Sequence, residues 1–409
     1  MNEIRPPLTI GQAGGYCSAF SPDGLRIVSG STAVRVWDSR TGDELVKMDG
    51  HTSIVSSVSF STDGSLIVSS SEDMTARVWD SRTGEELHAL RFHSIVQYVA
   101  LSPDKTRLAV GLDDATMRIC KMNGDELIVL EHDDGLTSVA FSPDGSKIVT
   151  GSEDTYACVW DSQTGEEVLS LEHEESVYSV AFSANGAYIV TAAGKTISVW
   201  DGMGHQIGNT LHGHTGYVLS VAFSKDGLVV SGSDDGTVRV WDPKNTMELL
   251  KLEASGSVGS VMVSPDAFRI VSSSEINIQV WNLRQYSRRM RMKKIKAVRQ
   301  RKRDAIRLRD LRMVRRSEIE RQTRNIPGRS NISTDDCAIC QEPLSIGSVV
   351  RRRCGHAFHE ICIREWSSRS DTCPMCRKKG NKINALKDNI YYLVPRVGLS
   401  THLGQPKLS

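Results

Sequence analysis

Long apolar runs are what this 409-residue chain most plainly lacks. No stretch approaches the roughly 20 apolar residues that a bilayer-spanning helix needs, and the first fifteen residues contain no signal-peptide core. The expectation is a protein with no membrane partner and no transmembrane segment, not secreted but intracellular, in the nucleus or cytoplasm. Cysteine is scarce outside one cluster, where Cys17, Cys120 and Cys158 lie scattered. Three isolated thiols build no disulfide framework and fit a reducing compartment. A phosphate-binding loop, a dinucleotide fingerprint and a nucleophile elbow are also missing. What remains, at 39% apolar and 24% charged residues, is a globular composition in a chain too long for one ordinary domain.

Repetition organises residues 8–283. Val-Arg-Val-Trp37-Asp38 returns as Trp79-Asp80, Trp160-Asp161, Trp200-Asp201 and Trp241-Asp242, with Cys120 and Trp281 in two weaker copies. Successive spacings are 42, 41, 40, 40, 41 and 40 residues. Ser-Pro-Asp-Gly turns or their variants keep the same period at Ser21, Ser61, Ser102, Ser142, Ser183, Ser224 and Ser264. A histidine marker precedes five copies, at His51, His93, His132, His173 and His214. Short alternating strands such as Val139-Ala140-Phe141 lie between the markers. A period of this length means stacked units that bury their faces on one another.

Three markers on one period resemble the WD-repeat family. The resemblance implies an all-β, seven-bladed propeller with four antiparallel strands per blade. It further implies that Leu8-Thr9-Ile10 supplies the last outer strand and closes the ring. The family's hydrogen-bond relay maps completely onto three sets: His51, Ser69, Asp73, Trp79; His132, Thr150, Asp154, Trp160; and His214, Ser231, Asp235, Trp241. The copy ending at Cys120 lacks the tryptophan, and those ending at Trp37, Trp200 and Trp281 lack the aspartate. Softer blades are expected there, because a buried imidazole without its carboxylate is worse satisfied. A histidine, a hydroxyl and a carboxylate invite a hydrolase reading, but the set repeats blade by blade, which marks it as structural. The propeller is expected to be a platform for a protein substrate or partner. Glu72, Asp113, Glu153 and Asp234 belong near one face, as a dock for a basic peptide or as a plain solvated rim.

Charge is unevenly placed. Residues 284–329 hold 19 Lys+Arg and 4 Asp+Glu, or +15, within a chain whose net charge is +1, so the rest carries about −14. No Gly or Pro interrupts this run before Pro327. The connector, 284–336, therefore reads as a basic helix or a helix-prone disordered segment. Besides a plain linker, three uses compete: an import-receptor patch, sequence-independent contact with nucleic acid, and docking back onto the acidic propeller. No aromatic follows Tyr286 within the run to stack bases.

The remaining six cysteines fall in one forty-residue stretch, spaced Cys-x2-Cys-x13-Cys-x-His-x2-His-x2-Cys-x10-Cys-x2-Cys. Eight donors fill two closed tetrahedral sites, so the zinc is expected to be structural. A nucleobase deaminase fails, since Glu360 directly follows His359 and Pro374 lies inside its Cys pair. The spacing resembles the RING finger of the two-histidine type, a small zinc-bound α+β domain at 337–377. The resemblance implies interleaved ligands, with Cys337, Cys340, His359 and Cys362 on one ion and Cys354, His356, Cys373 and Cys376 on the other. It also implies a ubiquitin-conjugating-enzyme face at Ile339, Trp366 and Pro374, and a ubiquitin-positioning cation at Arg377. In the tail, 378–409, the patch from Ile390 to Pro395 reads either as packing on this domain or as self-association. The implied function is a RING-type ubiquitin-protein transferase with no covalent intermediate of its own. A non-catalytic scaffold using the zinc domain for assembly is the alternative.

Overall fold

The computed structural model describes residues 6–11, 16–287, 290–293, 295, 296, 300, 337, 339, 349–351, 357–359, 362, 363, 390 and 391. The chain divides into two compact units, 1–304 and 305–409.

Strands follow from alternating, β-branched stretches cut by Ser-Pro-Asp-Gly turns. In five of the seven turns the serine hydroxyl donates to the carboxylate two residues on, as from Ser21 to Asp23 (2.5 Å) or Ser142 to Asp144 (2.6 Å). The same hydroxyl accepts the N–H five residues ahead, from Arg26 or Lys147, both at 2.9 Å. That pair of hydrogen bonds locks the hairpin, and its recurrence sets the period. The resulting antiparallel sheets are the seven blades I–VII: 17–48, 55–91, 96–131, 136–172, 177–201, 218–253 and 258–282.

In blade II, burial is deepest in the second strand and least in the outer one. Leu66–Ser71 is buried along nearly its whole length, because neighbouring blades cover both of its faces. The outer strand Glu86–Arg91 buries only Leu90. The core is accordingly a series of clusters between adjacent blades, such as the one joining Val28, Val36 and Met48 to Val58, Ile67 and Trp79.

The ring closes as the repeats imply. Leu8–Ile10 pairs antiparallel with the strand Ile278–Asn282 of blade VII, with Leu8 opposite Val280 and Ile10 opposite Ile278. Ile10 is completely buried among Phe20, Ile27, Val271, Ile278 and Val280. Two further devices were not legible in the repeat markers. Arg269 of blade VII reaches Ser39 Oγ (2.8 Å) and the Gly24 carbonyl (2.7 Å) of blade I, with its guanidinium carbon 5.4 Å from the centre of the Phe20 ring. Arg26 and Arg107 make the same bridge from blade I to II and from III to IV. Along the channel, serines of one blade accept backbone N–H groups of the next: Ser138 from Val180, Ser179 from Val221, Ser220 from Val261, and Ser260 from Ser18, at 3.0–3.4 Å.

Blade V departs from the four-strand expectation and shows three strands among the described residues. Its outer segment makes only isolated bridges, Trp200 to Gln206 and Ile197 to Leu211. Gly202, Gly204 and Gly208 interrupt that segment, two of them at positive φ (81° and 75°), and such backbone does not sustain a ladder.

The connector begins docked on its own propeller. Leu283 and Tyr286, in the short helical turn Leu283–Tyr286, are buried in the cluster around Trp281 and Ile270, and Met290 packs against it. Arg284 lies 4.3 Å from the centre of the Phe268 ring. Residues 287, 290–293, 295, 296 and 300 are helical. Residues 301–336, the bulk of the connector, lie outside the described residues.

Candidate functional site

Two places hold chemistry-bearing side chains in concert: the relays within the blades and the cysteine–histidine cluster.

In the relay of blade II, His51 Nε2 lies 2.7 Å from Ser69 Oγ, and His51 Nδ1 lies 2.9 Å from Asp73. Blade IV repeats this with His132, Thr150 and Asp154 at 2.7 and 2.8 Å, and blade VI with His214, Ser231 and Asp235 at 2.7 and 2.9 Å. The order hydroxyl–imidazole–carboxylate is that of a hydrolytic triad. The fourth member decides otherwise. Trp79, Trp160 and Trp241 each donate Nε1–H to the same hydroxyl oxygen at 2.8 Å. Ser69, Thr150 and Ser231 are wholly buried. A hydroxyl capped by an indole at zero exposure meets no substrate, so these are structural bonds.

The electrostatics agree. Burial pushes the His51 and His214 imidazoles down from their ordinary pKa, against the raising effect of their aspartates. Burial alone would raise Asp73, but hydrogen bonds from Thr75, the Thr52 N–H and His51 hold it at about 2. A neutral imidazole between an ionised carboxylate and a hydroxyl is a fixed strut.

Blade V shows that the aspartate is replaceable. His173 Nε2 bonds Thr191 Oγ1 at 2.8 Å, while its Nδ1 bonds the Leu171 carbonyl at 2.9 Å. The expected shortfall in imidazole bonding is therefore met there by backbone. Trp37, Trp200 and Trp281 still donate to Ser29, Thr191 and Ser272 at 2.8–2.9 Å.

The four acidic residues share one rim. The N–H groups of Glu72, Asp113, Glu153 and Asp234 each bond a carbonyl of the loop entering the blade's inner strand. Asp113 and Glu153 line a cleft of about 550 Å³ together with Asp133, Asp134, Tyr98 and Tyr178. Tyr98 stands in the position that Ser138, Ser179, Ser220 and Ser260 hold in later blades, and burial, then the Glu153 charge, raises its phenol to about 12.

In the second unit, a hairpin pairs Val349–Arg351 with Ala357–His359, Val349 standing opposite His359. That register brings His359 to Cys337, whose sulfur accepts the His359 N–H at 3.4 Å. Cys362, in the helical pair 362–363, completes a group whose donor atoms all lie within 4.8 Å of one another. Cys337, Phe358 and Ile363 are all fully buried. Two thiol sulfurs and an imidazole nitrogen at these separations suit zinc, whose tetrahedral bonds run about 2.0–2.3 Å. Ile339 is half-buried in a turn between the first two candidate ligands. Cys340, Cys354, His356, Cys373, Cys376, Trp366, Pro374 and Arg377 lie outside the described residues. From the tail, Ile390–Tyr391 adds a third strand to the hairpin, Tyr391 opposite Val349 and Ile390 opposite Val350. Residues 392–395 of that patch lie outside the described residues.

Comparison with known proteins joins these observations. The ring finger domain family matches residues 335–377. The WD domain, G-beta repeat family matches four copies, at 42–80, 124–161, 165–201 and 206–242. The chain is similar over 44 residues, at 46% identity, to the E3 ubiquitin-protein ligase RNF126 of Xenopus tropicalis, covering 10% of this chain and 14% of that protein. It is 40% identical over 55 residues to the human E3 ubiquitin-protein ligase RNF139, 13% of this chain and 8% of the relative. NEP1-interacting protein 2 of Arabidopsis thaliana is 42% identical over 48 residues, 11% of this chain and 20% of the relative. The similarity to ligases thus covers only the ring finger segment, and the chain spans no more than a fifth of these relatives' lengths. The protein carries WD40 repeats folded as a seven-bladed propeller and a ring finger domain of the two-histidine type near its C-terminus. That domain implies zinc binding.

Proposed function

We propose that the protein is a RING-type ubiquitin ligase whose propeller selects the substrate. The observation that carries this reading is the convergence of Cys337, His359 and Cys362 at the end of a hairpin, inside a segment similar to known ligases.

Cys340 completes the first zinc site with these three residues. Cys354, His356, Cys373 and Cys376 hold a second ion. Bound zinc supplies structure, stabilising a domain too small to bury an adequate core. Ile339, Trp366 and Pro374 form the face that grips the ubiquitin-conjugating enzyme. Arg377 donates hydrogen bonds to the ubiquitin tail and to the conjugating enzyme, holding the thioester in a reactive pose. A substrate lysine then attacks the thioester carbonyl. An amide bond forms, the thioester breaks, and the thiol of the conjugating enzyme leaves. The contribution of this chain is positioning, and none of its cysteines is a nucleophile.

Autoubiquitination with purified conjugating enzymes tests the reading. Wild type is expected to build conjugates, and Ile339→Ala and Arg377→Ala to lose them while retaining zinc. Absence of activity across a broad panel of conjugating enzymes refutes the ligase and leaves the zinc domain as an assembly element.

A further inference from the structure

Six of the seven blades seat an indole in one equivalent slot, and blade III has Cys120 there, opposite Leu108 as Trp79 stands opposite Ile67. The frame around the slot is nevertheless kept. In blade VI, Arg239 bonds Thr237 through Nε (3.1 Å) and Glu248 through Nη1 (2.8 Å), with its guanidinium carbon 6.0 Å from the centre of the Trp241 ring. Arg77 makes the matching bonds to Thr75 and Glu86 in blade II. Blade III repeats the arginine and the glutamate, with Arg118 Nη1 2.6 Å from Glu126. Yet Arg118 Nε is buried without a hydrogen-bond partner among the described residues.

In blades II and VI the tip of the indole also comes close to the residue before the relay histidine, although blades IV and V carry Glu131 and Glu172 there beside their own indoles. At Gly50 and Gly213, just before the relay histidines, a Cβ would stand 2.8 and 3.0 Å from Cη2 of Trp79 and Trp241. In blade III that position is Phe92, which packs against the same core cluster as Cys120. Phe92 does not fill the slot. A cleft of about 290 Å³ remains, lined by Leu90, Phe92, His93, Arg118, Cys120 and Glu126. Val110 replaces the relay hydroxyl, so His93 has no hydroxyl to bond and no indole ring to meet. It is turned to solvent and meets Asp114 through Nε2 at 2.6 Å, where the complete relays use Nδ1. The slot is open where the others are sealed.

We propose that this cleft is a binding site for a planar aromatic side chain, a tryptophan presented by a protein partner, stacked against Arg118 where blade VI stacks its own indole. The volume sits at the lower edge of the ~300–1,000 Å³ typical of ligand pockets, the size for one side chain. A guanidinium with a spare N–H attracts the electron-rich face of a ring, and a buried aromatic anchor is what concentrates binding energy at an interface. The site lies in the propeller and does not depend on the ligase reading.

N-acetyltryptophanamide, titrated into the full-length zinc-loaded protein and followed by saturation-transfer NMR, tests it. The probe is expected to bind wild type saturably, and N-acetylleucinamide not to bind. Cys120→Trp, which fills the slot with the chain's own indole, is expected to abolish the signal. Arg118→Leu leaves the slot empty and is expected to weaken binding about fivefold through loss of the cation, which keeps the test independent of how the tryptophan variant folds. No signal with wild type, equal signals with both amides, or binding undiminished in both variants overturns the proposal.

Discussion

Removing the first strand tests how the propeller ring is held shut. Deleting residues 1–11 takes away three ladder pairs and leaves the strand Ile278–Asn282 as an open edge. Ile10 contributes most of the loss, being completely buried between the first and last blades. Truncating such a residue to alanine costs about 2–5 kcal/mol. Each lost backbone hydrogen bond adds about 1 kcal/mol. Together these approach the ~5–15 kcal/mol that stabilises a typical domain. The same seam keeps Arg269 on Ser39 and Gly24, and Ser260 against Ser18. Ile10→Ala should therefore lower stability while leaving the ring closed and the protein monodisperse. The deletion should lower it further and expose an edge that pairs with other chains. Urea unfolding followed by tryptophan fluorescence gives the first quantity, and light scattering the second. A deletion variant with the wild-type midpoint and no association would refute the account of closure. An Ile10→Ala variant that associates as strongly as the deletion would refute the role of Arg269.

Acidification should weaken the propeller. Burial lowers the pKa of His51, His173 and His214, so their contribution is complete above the unfolded value of about 6.5 and is lost as pH falls through the folded values, at up to about 1.4 kcal/mol per pH unit for each histidine. A urea midpoint that stays level or rises from pH 7.5 to 5.5 contradicts this. Thr155 has φ 74° at a position where blade VI uses Gly236, also at 74°. Thr155→Gly should therefore stabilise by about 1 kcal/mol, the relief of a left-handed backbone at a branched residue, and an unchanged or lowered thermal midpoint contradicts it. Chelating zinc, or Cys337→Ser, should unfold the second unit, which metal stabilises by on the order of 10 kcal/mol, and leave the tryptophan-reported melt of the propeller in place. Protease resistance of 335–377 that survives chelation would refute it.

The parts legible in the sequence are those in which one residue type has one use. A tryptophan every forty residues, preceded by a hydroxyl that accepts its N–H, recurs because the blade interior has room for one arrangement, and it returns in all six indole-bearing blades. Closure by Leu8–Ile10 followed from the resemblance to the WD-repeat family, in which each copy supplies the outer strand of one blade and the inner strands of the next. The arginine bridges were visible in principle, since Arg26, Arg107 and Arg269 sit at one repeat position. They escaped notice because arginine on a strand end is ordinarily a solvated residue, and its bonding to the next blade depends on curvature that no single repeat encodes. Blade V and His173 fail for a related reason. A carbonyl can replace a carboxylate, as Leu171 does for the missing aspartate, and backbone acceptors leave no mark on the sequence. Cys120 is the inverse case. Its sequence signal was an absence, read as a weaker copy of the repeat, and only the kept Arg118–Glu126 pair turns that absence into a shaped cleft. The same asymmetry holds in the second unit. The spacing of cysteines and histidines marks ligands, but the third strand, Ile390–Tyr391, comes from a tail with no motif. Its place depends on an edge of the hairpin being free to pair, a property of the folded domain and of no residue in it.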